Sequence, residues 1–261
     1  MASAMVDTRR DVRYETRDGV AFLTLDAPPV NILSVALMRS LTAAIERAVA
    51  DASLKAIAIT ASGRAFSAGA DIGEHRPELA GEMIQAFSAL FGALGACELP
   101  VVMAVDGAAL GAGFELAIMA DILLASDRAT FGQPEIRLGF FAPVGVSWLP
   151  ARIGMARALE VTCTGRIYSA SEMASMSLVS RVVASADLDG ALEAVLADLR
   201  RASPAVMRMN VRLTRRLHGR PFEEGRREAE RVFMHGLMPM DDVREGIAAF
   251  FEKRPPEWTG R

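Results

Sequence analysis

A chain of 261 residues is long enough to bury a full core in one domain without a metal or disulfide staple. Its 29 basic and 32 acidic residues leave a net charge of −3, which gives no field to attract nucleic acid or an anionic membrane. The two cysteines, Cys97 and Cys163, stand far apart and in no CxxC or Cys/His spacing, which excludes a disulfide framework and a zinc site and suits a reducing compartment.

From Met1 to Glu15 the chain carries Asp7, Arg9, Arg10, Asp11 and Arg13 with no apolar run behind them, so it does not read as a secretory signal. Val20 to Leu25 alternates as a half-buried strand, followed by a turn at Ala27, Pro28 and Pro29. Ser34 opens a helix through Asp51, where Leu37, Leu41, Ile45 and Val49 form an apolar stripe. Ala56 to Thr60 reads as a buried strand, Ala61 to Gly73 as a small-residue stretch, and Glu78 to Ala96 as a second helix.

Val101 to Val105 is another buried strand, stopped by Asp106 and Gly107, and a Gly/Ala-rich turn leads into a helix around Phe114 to Ala120. The apolar region Val101 to Ala125 contains Asp106, Glu115 and Asp121, acids that a membrane helix would not carry at those depths. The expectation is a cytoplasmic protein with no membrane partner. Ile122 to Ala125 and Ala129 to Gly132 add extended segments, giving an α/β first half with crossover helices. From Ser169 onward, helical periodicity dominates in 171–176, 188–201, 204–217, 223–235 and 241–251, with strand signal only around Val179 to Val183. We divide the chain into a core of residues 1–195 and a helical C-terminal region, 196–261, suited to oligomerisation.

Two turns carry chemical promise. Gly63 to Ile72 follows a strand with small residues that let a ligand approach the backbone; a plain tight turn explains it equally well. Gly107 to Glu115 follows another strand and opens a helix, which leaves free N–H groups and a positive dipole end at Ala112 and Gly113. Negative charge is favoured there. The turn resembles a phosphate-binding glycine loop, but the spacing matches neither GxGxxG nor a GK[ST] ending, which weakens the nucleotide reading. Glu115 sits among Phe114, Leu116, Ala117 and Ile118, and Glu135 follows Phe131, Gly132, Gln133 and Pro134. Two acids in apolar settings suit acid/base chemistry near neutral pH. Helix-dipole stabilisation and a solvent-facing loop are the bland alternatives. Of His75, His218 and His235, only His75 continues from the first turn toward a pocket.

In order and register, AFSAGADI, GAALGAGFELAIMAD and FGQPEIRLG resemble the enoyl-CoA hydratase/isomerase (crotonase) superfamily over residues 15–258. The resemblance implies a ββα spiral with a helical C-terminal region, assembled as a homotrimer or dimer of trimers. It makes the amides of Ala70 and Ala112 an oxyanion hole, the second within a GAG where GGG is usual, and Glu115 and Glu135 the two hydratase glutamates. Ala68, Asp71, Ile72 and Gly73 fall where the family lines its CoA site. Lys253, one of two lysines, matches a residue that reaches CoA phosphate in a neighbouring subunit. Coenzyme A is part of the substrate, and no metal or other cofactor is implied.

After Glu135, the family's PGxGGTQRL-like segment is replaced by bulkier residues from Leu138 to Pro150. This stretch, with AGADIGEH and EKRPPEW, is similar to the family's cyclohexa-1,5-diene-1-carbonyl-CoA hydratases, with Phe140, Phe141 and Trp148 as flat surface for a ring. The implied reaction is hydration of an α,β-unsaturated acyl-CoA; the alternative on the same scaffold is isomerisation. Some relatives bind RNA through a lysine-rich helix, but 34–51 contains no lysine. The arginine run Arg208, Arg212, Arg215, Arg216 and Arg220 reads as a solvated or subunit-facing helix surface.

Overall fold

The computed structural model describes residues 11–261. The part of the N-terminal signal reading that rests on residues 1–10 lies outside the described residues. β1 (Val12–Arg17) and β2 (Val20–Leu25) form an antiparallel hairpin. α1 (Val35–Ala50) follows, with Ser34 as its N-cap, the hydroxyl accepting from Leu37 N at 3.3 Å.

The chain then winds in turns of two strands and a helix. The first holds β3 (Ala56–Ala61), β4 (Ala65–Ser67) and α2 (Ala80–Ala96). The second holds β5 (Val101–Val105), β6 (Ala108–Leu110) and α3 (Ala112–Ile118). β7 (Ile122–Ser126), β8 (Thr130–Gly132) and α4 (Pro143–Ile153) make the third. After α5 (Met155–Thr164), β9 (Ile167–Ser169), α6 (Ala170–Ser175) and β10 (Arg181–Val183), the rest is helical: α7 (Leu188–Arg200), α8 (Pro204–Leu217), α9 (Phe222–Val232) and α10 (Asp241–Glu252).

Each turn contributes one strand to each of two sheets, ordered β1-β2-β3-β5-β7-β10 and β4-β6-β8-β9. Successive turns pair in parallel, Ile57 beside Val101 and Val102 beside Ile122 in the large sheet, Ala65 beside Ala108 and Ala108 beside Thr130 in the small one. This is the expected ββα spiral. One face of the large sheet packs into the main core with α1 and α2 through Leu37, Leu41, Ile45, Leu90 and Leu94. The other face, with Val20, Ala56, Val102 and Leu124, is covered by Leu188, Leu192 and Leu196 of α7. The boundary drawn between residues 195 and 196 therefore falls inside α7, a helix bound to the sheet by its apolar stripe.

Other readings also need correction. β4 and β6 are strands inside stretches read as turns, and α3 begins at Ala112, two residues before the expected start. α4 and α5 add two helices that the sequence reading lacks; in α4, Pro143 and Pro150 mask the helical spacing of the buried Gly145, Leu149 and Ile153. The arginines of α8 are largely engaged within the chain. Arg208 donates to Val49 O at 3.0 Å and Asp51 O at 2.6 Å, at the end of α1. Arg215 donates to Leu94 O at 3.0 Å and to Cys97 O, at the end of α2, and pairs with Asp121 at 2.8 Å. Cations on the carbonyl ends of two helices complement both dipoles. Among the described residues, no helix is long and apolar enough to cross a membrane.

Candidate active site

Glu115 lies on α3, whose seven residues are all buried. Its side chain is only 2% exposed, and a carboxylate that deep requires donors. They come from the start of α4: Val144 N and Gly145 N donate to Oε1 at 2.7 and 3.0 Å. Pro143 occupies the first position of α4, where its fixed φ and missing N–H fit without loss. Burial pushes the Glu115 carboxyl up to about 7; the two amides oppose that shift and the neighbouring charge of Glu135 adds to it.

Glu135 sits on a 3-10 turn, Pro134–Leu138, directly after β8. Burial raises this carboxyl too, while a backbone hydrogen bond and charge on His75 draw it back. Gln133 is 1% exposed, and its side-chain amide lies against the Glu135 carboxyl, where turning the amide over lets its nitrogen donate to both oxygens. Across from Glu135 stands Gly111, with φ 53° and ψ −128°. A methyl group there would make ordinary contact with Glu135 Oε2 at 3.4 Å, so what glycine supplies is the positive φ of the turn that opens α3.

Ala70 and Ala112 follow β4 and β6, the strands of successive turns. Among the described residues neither amide N–H donates to a protein acceptor. The loops touch: a methyl built on Gly69 would stand 3.0 Å from Leu110 O and 3.7 Å from Ala112 N, and one on Gly113 only 2.6 Å from Ser67 O. Both residues line a cavity of about 620 Å³ that also takes in Glu115 and Glu135. Its remaining wall is mainly apolar and includes Met83, Ile84 and Phe87 of α2 together with Phe140 and Phe141.

The structure thus brings together Ala70, Ala112, Glu115, Glu135, Ala68, Ile72, Phe140 and Phe141 around one cavity. Asp71 and Gly73 are not in its wall: the Asp71 carboxylate accepts from Gly73 N at 2.7 Å and caps the 3-10 turn Ile72–His75. Trp148 also lies outside it. Its ring packs against the main core and edge-on to His218, centroids 6.0 Å apart, because its place on α4 directs it toward the end of α8. Lys253 is exposed at the C-terminus of α10 with φ 56°, away from this cavity. Sequence reasoning did not find Gln133 or the Val144 and Gly145 amides. A glutamine between Gly132 and Pro134 carried a faint signal; amides 29 and 30 residues beyond Glu115 carried none.

The sequence pattern of the enoyl-CoA hydratase/isomerase family matches residues 15–261. The chain belongs to this family. It is 38% identical to a probable enoyl-CoA hydratase of Rhodobacter capsulatus, covering 96% of this chain and 98% of the relative. A cyclohexa-1,5-dienecarbonyl-CoA hydratase of Thauera aromatica is 32% identical over 94% of this chain and 95% of its own length. The crystal structure of an enoyl-CoA hydratase from Mycobacterium smegmatis superposes with a TM-score of 0.89 at 31% identity, covering 96% of this chain and 99% of that one.

Proposed function

We propose that the chain is an enoyl-CoA hydratase, adding water across the double bond of an α,β-unsaturated acyl-CoA. The observation that carries this reading is two carboxyls, Glu115 and Glu135, on one apolar cavity with two unengaged amides. The thioester oxygen lies between Ala70 N and Ala112 N. As water adds at the β-carbon, that oxygen gains negative charge, and two preorganised donors stabilise the enolate-like transition state by several kcal/mol. Glu115 takes the water proton and Glu135 delivers a proton to the α-carbon. One carboxyl is charged and the other protonated, an arrangement favoured by mutual repulsion of the two in a dry site.

Ala68 and Ile72 border the path of the CoA moiety, with Asp71 and Gly73 shaping the turn beneath it. Lys253 serves the cavity of a neighbouring subunit in a trimer or dimer of trimers, and the enzyme works in the cytoplasm without a separate cofactor. For the acyl group we favour a cyclic dienoyl-CoA, supported by Phe140 and Phe141 in the wall and by the Thauera relative's name. Trp148 drops out of this argument.

The test is hydration of crotonyl-CoA and of the cyclic dienoyl-CoA in heavy-oxygen water. Heavy oxygen in the product is expected. Double-bond migration without oxygen incorporation overturns the hydratase reading, and faster turnover of crotonyl-CoA overturns the cyclic preference alone.

A further inference from the structure

His75 is a polar group of the cavity wall that has no part in the reaction as proposed. It closes the 3-10 turn Ile72–His75 and shares the cavity with Glu135 and Glu115. Its Nδ1 lies 2.8 Å from the Asp71 carbonyl oxygen. A carbonyl can only accept, so Nδ1 carries a proton and donates. With Nδ1 so engaged, Nε2 is the nitrogen that can take up or release a proton, and among the described residues it has no hydrogen-bond partner. The ring also packs on Phe140, centroids 4.9 Å apart and planes tilted by 56°. A hydrogen bond and an aromatic contact therefore fix both the tautomer and the ring.

We infer that His75 is a positioning residue for Glu135: held by the Asp71 carbonyl and Phe140, it governs whether Glu135 carries its proton when substrate arrives. The inference rests on the hydratase reading, which gives Glu135 a proton to deliver. Glu135 feels opposing influences, burial favouring the neutral acid and positive charge on His75 favouring the carboxylate.

The other charged groups nearby are differently engaged. On the same turn, Asp71 accepts from Gly73 N at 2.7 Å and Glu74 from Val35 N at 2.9 Å, and Arg76 follows as the C-cap. Arg137, from the turn that carries Glu135, lines the cavity but is exposed and donates to Thr164 O at 3.4 Å. α3 contributes Glu115, and α2 presents apolar Met83, Ile84 and Phe87. His75 is thus the group in this wall with a ring nitrogen free to take up a proton, and positive charge on it favours the Glu135 carboxylate.

The test compares kcat/KM against pH for the parent, His75→Phe and His75→Gln, using an enoyl-CoA that the parent hydrates. His75→Phe keeps an aromatic ring against Phe140; His75→Gln keeps polarity without a titrating charge. The limbs of such a profile belong to the coupled glutamate pair, and the optimum lies midway between them. Removing the histidine charge lets Glu135 hold its proton to higher pH, so the optimum moves upward whichever limb is which. The expected shift is about 0.3–1 pH unit in both variants, the size of one partly screened charge nearby. An optimum unmoved in either variant, with rates merely lowered at every pH, overturns the role, because loss of packing alone produces that result. Absence of hydration by the parent overturns the reaction reading and the role together; hydration with an unmoved optimum overturns the role alone.

Discussion

The spiral and the C-terminal helices are stabilised in opposite ways. In the spiral, α3 is buried along its whole length and β5 at every residue, and the one charged side chain of these two elements, Glu115, is held by two backbone amides. α9 has no buried residue at all. It carries ion pairs instead: Arg226 with Glu223 at 2.9 Å and with Glu230, Arg231 with Glu228 at 2.8 Å. Nearby, Phe222, Phe250 and Phe251 are each 78% exposed. A dry interior lets a carboxyl and a backbone amide act strongly; a wet surface reduces even well-formed ion pairs to small contributions.

The sharpest way to break this contrast is to neutralise the acids of the spiral. Glu115→Gln and Glu135→Gln should each lower kcat about 10²–10⁴-fold, the range for positioned acid/base groups. Steady-state hydration assays check this; full activity in both variants removes the two-glutamate mechanism.

Stability offers a second test at the same residue. The Glu115 carboxyl is held at about 7 in the folded protein against an ordinary 4.5. A group with a raised folded value contributes stability that is present below its unfolded value and lost as pH rises through the folded one. Glu115→Gln should therefore gain stability relative to the parent between pH about 4.5 and 7, by roughly 3 kcal/mol at the upper end. Denaturant melts at pH 4 and pH 8 measure the difference, and a constant offset contradicts it.

Gly113→Ala should cost roughly 1–3 kcal/mol of stability and lower kcat more than KM rises, since its new methyl meets Ser67 O at 2.6 Å and pushes the Ala112 amide off its line. Arg215→Ala should cost about 1–2 kcal/mol, because Asp121 and the carbonyls of Leu94 and Cys97 lose a shared donor; hydration activity stays near the parent's. Arg226→Ala on α9 should move the thermal midpoint by no more than about 2 °C. A drop as large as that of Arg215→Ala would erase the distinction between the two regions.

Much of this layout was legible in the residues. β5 and α8 stand at their expected bounds, Val101–Val105 and Pro204–Leu217, because a run of β-branched residues and a Pro-opened amphipathic stretch are strong local signals. Glu115 was readable as buried from its neighbours alone. Its donors were not, since the start of α4 meets α3 only through the wrapped chain. Trp148 misled for a related reason: its aromatic surface suits a ring substrate, but its direction depends on the phase of a helix whose start is masked by Phe140, Phe141 and Pro143. Arg212, Arg216 and Arg220 are exposed as expected, whereas Arg208 and Arg215 misled because their acceptors include carbonyls at the ends of other helices, groups that leave no mark on side-chain sequence.

The contact between Gly113 and Ser67 also bears on how this loop can drift. In the Gly-Ala-Gly run, the middle Ala112 is 5% exposed and packs into the main core, so its methyl answers to neighbours whose volume can adjust. Gly113 answers to a carbonyl already at contact distance, and no rotamer change elsewhere makes room. Ancestral exchanges between glycine and alanine could pass freely through the middle letter while the third stayed shut, and the spacing of the two amides would be inherited unchanged through that exchange.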